Sequence, residues 1–249
     1  MRREGPFYVG WQARAAPESA RFVRVVVVLV FGLALAVGAT LAASQRTFQP
    51  SVFEFGVERE LEGVYQHAPV PHLRVARPGA AGDARMLLVS PGKHGGAPDW
   101  SSHDGARVAL RGSLVFRDEG TLVEVVPGSL RALGPAAAAQ PAEPLGHVVL
   151  EGEIVDSKCW LGVMNPGNLR AHRACARLCV AGGIPPLLVV RTPSDGPRQA
   201  VLVGTDGAPV NAAVLDHIAL PVEVEGELER HDDLYVLRID PAAIRRIAR

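Results

Sequence analysis

The chain has 249 residues, enough for one large domain or two small ones. Its 26 basic and 26 acidic side chains cancel, so no net field draws it to nucleic acid or to an acidic partner. Aromatic residues make up only 5%, which leaves few platforms for stacking bases, and nucleic acid is excluded as a partner.

Residues 25–43, VVVVLVFGLALAVGATLAA, carry no charge. At 1.5 Å per residue this run reaches about 28 Å, close to the roughly 30 Å hydrocarbon core of a bilayer. Arg2, Arg3, Arg14, Arg21 and Arg24 precede it and only Arg46 follows closely. That asymmetry predicts a cytoplasmic segment 1–24, a single transmembrane helix 25–43 and a periplasmic body, in a bacterial inner membrane. Thr40-Leu41-Ala42 offers a signal-peptidase site as the rival reading. The apolar run exceeds the usual core of about 7–15 residues in a signal peptide, so an uncleaved anchor is expected. Residues 44–58 are expected to form a stalk.

The remainder contains one unit twice. A constant shift of 114 pairs Leu88 with Leu202, His103 with His217, Gly112 with Gly226, Asp118 with Asp232 and Pro127 with Pro241. Similarity at a fixed shift signals an internal repeat. Leu61-Glu62-Gly63 matches Leu150-Glu151-Gly152 at a shift of 89 instead. The difference, 114 − 89, is an insertion of 25 residues in the second copy. Each copy shows short alternating strands and a hairpin, LRGSLVFRD to LVEVV and VEGELERHD to LYVLRI, with polar tips at Glu119-Gly120 and Asp232-Asp233. PGSLRAL and PAAIRRI predict a short closing helix with proline at its start. The expected fold is mainly β: two tandem OB-like small barrels, 59–134 and 147–249, joined by a Pro/Ala linker at 135–146.

The insertion holds every cysteine: Cys159, Cys175 and Cys179. Asn168 can cap a helix from about Leu169 to Val180, which Gly182-Gly183 ends. On that helix Cys175 and Cys179 lie about 40° apart, and His172 falls within about 60° of both. With Cys159 the spacing is C-x12-H-x2-C-x3-C, enough for a four-coordinate Cys3His site. Three readings compete. Cys159, His172, Cys175 and Cys179 ligate a soft or borderline metal, Zn2+ or Cu+, with Met164 as a further thioether for copper. Alternatively Cys159 bonds to Cys175 or Cys179 as a structural disulfide, giving a stapled interaction module without metal. In the third reading a thiol is redox-active, with Lys158, Arg173 and Arg177 favouring its thiolate. Trp160, Leu161, Val163 and Leu178 are expected in the core beneath the loop, and Asp156-Ser157 as a polar strand end. GKHGG at 92–96 lacks the Walker spacing and is expected to be a plain loop. His67 and His72 are expected to be solvated loop histidines, and Asp232-Asp233 a solvated tip.

The run EGEIVDSKCWLGVMNPGNLRAHRACARLCVAGGIPPLLVV, with FEFGVERELEGV and GKHG, resembles a family of bacterial membrane-anchored exported proteins. The D-S-K-C, H-x-x-C-A-x-x-C and G-G-I-P-P elements carry the resemblance, which spans almost the whole chain. It implies an anchored exported protein beside redox systems and brings no ligand set with it. Taken with the anchor, barrels and cysteine loop, the resemblance implies a non-enzymatic accessory of a respiratory or electron-transfer complex, with a membrane or periplasmic protein complex as partner.

Overall fold

A computed structural model describes residues 16–45, 50–79, 82–118, 120–136, 141–191 and 196–247. The predicted topology charges Arg2, Arg3, Arg14 and Arg46, the hairpin-tip residue Glu119 and linker residues 137–140 lie outside these.

The N-terminal unit is helix α1, Pro17–Ser44. It starts eight residues before the predicted span, with a proline in its first turn where no N–H is needed. Its apolar core has a mean hydropathy of 2.7, and it is long and apolar enough to cross a membrane. No residue of it is buried. An uncleaved anchor and a signal sequence share these properties.

The second unit, Gln49–Arg249, is built on two closed five-stranded barrels. A short strand β1 (Val52–Phe53) precedes the first. That barrel comprises β2 (Arg59–Gln66), β3 (His72–Val75), β4 (Ala84–Val89), β5 (Ala106–Arg117) and β6 (Gly120–Val125). β2 pairs with β3, β3 with β4, β4 with β6, β6 with β5 and β5 again with β2. Only the β4–β6 pair is parallel. A strand β7 (Arg131–Pro135) adds to β5. The second barrel repeats this ring with β8 (Glu143–Asp156), β9 (Pro186–Val190), β10 (Gln199–Gly204), β11 (Pro221–His231) and β12 (Leu234–Ile239), again with one parallel pair, β10–β12. Ring closure removes the exposed edges of a small sheet, and the strand order is that of an OB-like barrel.

The strand registers carry both sequence shifts. Leu88 opposes Val123 and Leu202 opposes Leu237, each displaced by 114. Gly63 opposes Val108 and Gly152 opposes Val222, displaced by 89 and 114. β3 aligns with β9 at 115, because Leu73 opposes Met86 and Leu188 opposes Ala200. So 26 residues (115 − 89) enter between the first two strands of the second copy, and one is lost from the following turn. His103 and His217 both sit in the single 3-10 turn after the third barrel strand, a scaffold position in each copy.

Two expectations fail locally. The closing segments are not helices: Arg131–Pro135 is strand β7, and Pro241–Ala243 is one 3-10 turn leading to strand β13 (Arg245–Arg246). Backbone pairing with β5 and β11 supplies partners that an isolated helical turn lacks. The end of the predicted stalk is also structured, since β1 pairs with β5.

Each barrel has its own core at equivalent positions. Tyr65, Leu73, Leu88, Val108 and Val123 fill the first, and Ile154, Leu188, Leu202, Val222 and Leu237 the second. A third apolar cluster joins the barrels. It includes Leu87, Val89 and Leu122 and their counterparts Val201, Val203 and Val236, together with Trp160 and Leu161 from the insertion. The equivalent strands β4 and β10 are therefore buried on both faces, which is why MLLV and AVLV are continuous rather than alternating.

Polar contacts lock this joint. Buried Arg85 donates from Nε to Asp232 Oδ2 at 2.8 Å and from its backbone N–H to Asp233 Oδ1 at 2.8 Å. Arg77 pairs with Asp233 at 3.2 Å. The tip predicted to be solvated is an inter-barrel clamp instead. His72 is fully buried, not a solvated loop histidine, whereas His67 is exposed. Arg85 Nη1 donates to His72 Nε2 at 2.7 Å, so the ring proton sits on Nδ1, which faces Val70 O at 2.8 Å.

Candidate metal and thiol centre

The insertion begins where β8 ends. Asp156 closes the strand, and Cys159–Val163 form a π-helical turn that drives Trp160 and Leu161 into the joint. Trp160 Nε1 donates to Gln199 Oε1 at 2.7 Å, and the Arg117 guanidinium lies 4.1 Å from the Trp160 ring centroid. The chain reverses through Asn165–Pro166, and helix α2 runs from Leu169 to Ala181. Asn168 makes no side-chain cap; the Glu153 carboxylate accepts from Leu169 N–H in its place. The buried face of α2 carries His172, Ala176, Cys179 and Val180, at the i, i+4, i+7, i+8 spacing of one helical stripe. Of the predicted core residues, Trp160 and Leu161 are buried and Val163 packs against the joint, but Leu178 is 60% exposed. It lies on the opposite side of α2 from the stripe.

The predicted ligands converge in part. Cys159, His172 and Cys175 bring one donor atom each to within 4.8 Å of one another. A second triad, Asp156, Cys159 and Cys179, does the same and shares Cys159 with the first. The structure thus replaces one tetrahedron by two groups with a common sulfur, and it adds a carboxylate. A tetrahedral zinc site with bonds of about 2.3 Å has sulfur–sulfur edges near 3.8 Å. A triad spanning 4.8 Å reaches that by small side-chain rotations. Met164, the further thioether suggested for copper, is 44% exposed.

Asp156 organises the centre, which a polar strand end does not do. It is fully buried, its Oδ1 accepts the Cys159 backbone N–H at 2.8 Å and its Oδ2 lies 3.1 Å from His172 Nε2. That contact places a proton on Nε2 and leaves the lone pair on Nδ1. A carboxylate behind a histidine is the common support for a metal-binding imidazole.

The cation beside the thiols is neither Lys158 nor the helix arginines. Lys158 is buried and reaches barrel one, bonding Ser90 O at 3.1 Å, Gly92 O at 2.8 Å and the Glu124 carboxylate. Arg173 and Arg177 bond the carbonyls of Asp216 and Leu215. Lys93 takes the role. Its Nζ lies 2.8 Å from Cys175 Sγ and 3.5 Å from Cys179 Sγ. The GKHGG loop of barrel one is therefore part of the site. No local signal marked Lys93; the one hint is that it and Lys158 are the only lysines in an arginine-rich chain.

All three cysteines are free, so no disulfide links Cys159 to α2 in this structure. The Cys179 thiol is lowered to about 7, first by the hydrogen bond from Cys159 and further by Lys93. Cys159 is pushed well up by that same bond and by burial. Of the two, Cys179 is the thiol that ionises more readily. The thiols hold Lys93 above its usual value, the Cys175 bond first.

The GKHGG loop is fitted to the helix end. Gly95 N–H donates to Gly182 O at 3.0 Å, and a Cβ on Gly182 would lie 1.8 Å from Lys93 O. Gly182→Ala should push the loop away and cost about 1–3 kcal/mol by overpacking. In urea titrations of the full-length protein in detergent, a loss under a few tenths of a kcal/mol would show that the loop docks loosely.

A cavity of about 510 Å³ opens between the barrels, lined by Arg85, Thr121, Trp160, Gln199 and Tyr235 among others. None of the thiols reaches it. No protein-family model matches the chain, and no curated protein or solved structure matches it either.

Proposed function

We propose that this is a membrane-anchored periplasmic protein that binds a soft or borderline metal ion through Cys159, His172, Cys175 and Cys179. It serves as an accessory to a respiratory or electron-transfer complex in the inner membrane and is not itself an enzyme. The observation that carries this reading is the pair of triads sharing the buried Cys159, with Asp156 behind His172. Thiolate and imidazole donors suit Zn2+ or Cu+. When bound, such an ion supplies a fixed positive charge, and for copper a one-electron couple. The chain's own residues do the rest. Asp156 orients His172, Cys179 offers a thiolate near neutral pH, and Lys93 balances charge at the rim.

The lowered Cys179 thiol also supports a second reading, a thiol-redox centre without metal.

The test is metal analysis of full-length protein purified anaerobically, together with a free-thiol count. Near-stoichiometric zinc or copper is expected, falling at least tenfold in Cys159→Ser and Cys175→Ser. Three reactive thiols and no metal after supplying zinc and cuprous ion separately would reject the metal reading and favour the second.

A further inference from the structure

Lys93 Nζ lies 2.8 Å from Cys175 Sγ and 3.5 Å from Cys179 Sγ. Hydrogen bonds from nitrogen to oxygen cluster at about 2.9–3.0 Å. Sulfur is larger than oxygen, so an N–H···S bond belongs several tenths of an ångström further out. The Cys179 contact has that length, and the Cys175 contact is a hydrogen bond several tenths of an ångström shorter. Two single bonds meeting at one oxygen, N–O and O–S, give a span shorter than an N–H···S hydrogen bond. The Lys93–Cys175 separation is shortened toward that span.

We propose that Lys93 and Cys175 are a modification site: dioxygen joins them through one oxygen atom into a reversible Nζ–O–Sγ crosslink. The reaction balances. Lys93-NH3+, Cys175-SH and O2 give the Nζ–O–Sγ bridge, one water and one proton. Nitrogen and sulfur each lose two electrons, and the two oxygen atoms of O2 gain the four. Two N–H bonds, the S–H bond and the O–O bond break, and the N–O and O–S bonds and the two O–H bonds of water form. The released proton goes to solvent, to which the Lys93 side chain is open.

Two further observations place the pair for this. Lys93 is exposed and Cys175 half-buried, so the oxidant reaches both, whereas Cys179 is only 2% exposed. The backbone on either side of Lys93 is pinned, by Lys158 to Gly92 O and by Gly95 N–H to Gly182 O. Reacting groups held in place by their own chain pay little of the entropy of meeting. The bridge would tie the GKHGG loop of barrel one to helix α2 of barrel two. It would also withdraw Cys175 from the donors, so the crosslink and a metal exclude each other at that sulfur. The inference does not rest on the metal reading.

The experiment is intact-mass and peptide analysis of the full-length protein, purified from detergent in air and again under argon. The aerobic sample should be heavier by about 14 Da, one oxygen gained and two hydrogens lost, and treatment with a thiol reductant should restore the original mass. Trypsin should fail to cut after Lys93, and the Lys93 and Cys175 peptides should travel together until reduced. Lys93→Arg keeps the charge and should show none of this. An aerobic protein of unmodified mass, with Cys175 fully alkylated without reductant, overturns the proposal. So does a 14 Da increase that survives reduction, which is the mark of methylation, or a 2 Da decrease from a disulfide. Metal content measured on the argon sample is a separate readout. A chain that loads metal yet never crosslinks sinks only this inference, and one that crosslinks without ever loading metal sinks only the function proposed above.

Discussion

Arg85→Ala should destabilise the two-barrel unit by about 3–5 kcal/mol, the cost of breaking a buried ion pair from one side. The Arg85 and Asp232 side chains are 2% and 14% exposed, so removing the guanidinium leaves a carboxylate inside the joint without its partner. Asp233 loses no side-chain bond, because it holds the Arg85 backbone N–H. By contrast Arg107 and Glu62 are 59% and 56% exposed, and Arg107→Ala should cost under about 1 kcal/mol. Urea unfolding of both variants in the full-length protein reads the difference. Equal, small losses would mean that the clamp contributes no more than a surface pair. A double variant, Arg85→Met with Asp232→Asn, should recover part of the loss, since the orphaned charge is costly and Asn tolerates the left-handed backbone at 232.

Acid should open the same joint. Burial depresses His72 to about 4, and Arg85 and His231 push in the same direction, while the Val70 carbonyl and Asp104 oppose. Neutral His72 accepts from Arg85 Nη1; a charged ring cannot. Because the folded value lies below the ordinary 6.5, the stabilising effect is complete above about pH 6.5. It declines as pH falls and is gone below about 4. At 1.36 kcal/mol per pH unit the loss over that window is about 3 kcal/mol. The protein should therefore lose about 3 kcal/mol more than His72→Gln between pH 7 and 4, measured by urea midpoints. Parallel pH profiles for the two proteins would remove His72 from the explanation.

Much of the fold was legible because the duplication kept its register. Matches such as Leu88 with Leu202 and Gly112 with Gly226 survive because each glycine lies beneath a neighbouring strand and each leucine inside a barrel. The two sequence shifts, 114 and 89, reappear as strand pairings, and the cysteine insertion falls where their difference places it. Helix α2 was readable from its glycine stop and polar start. The joint was not. A strand such as MLLV shows that both faces are covered, but not whether the cover is a helix, a partner or the other copy. Lys93 is 82 positions from Cys175, and nothing local ties them. Asp232 and Asp233 look like any polar tip until Arg85 arrives from 147 residues away. Helix α2 itself illustrates the limit of periodicity: it placed His172 and Cys179 on the inner stripe, yet Leu178, apolar but one position off that stripe, faces solvent.

Gene duplication usually leaves behind modules that can be cut apart and reused. Here the seam runs through the hydrophobic interior. Leu87, Val89 and Leu122 share one apolar cluster with Val201, Val203 and Val236 of the other half, and the thiols of one half meet their lysine from its sibling. A chain severed near residues 137–140 would expose an oily plane on each fragment. The fragments should clump when made singly and come out of solution as one particle only when made together. The ancestral single-copy protein would have faced that problem too, and pairing with itself across the same plane is the simplest way it could have remained soluble.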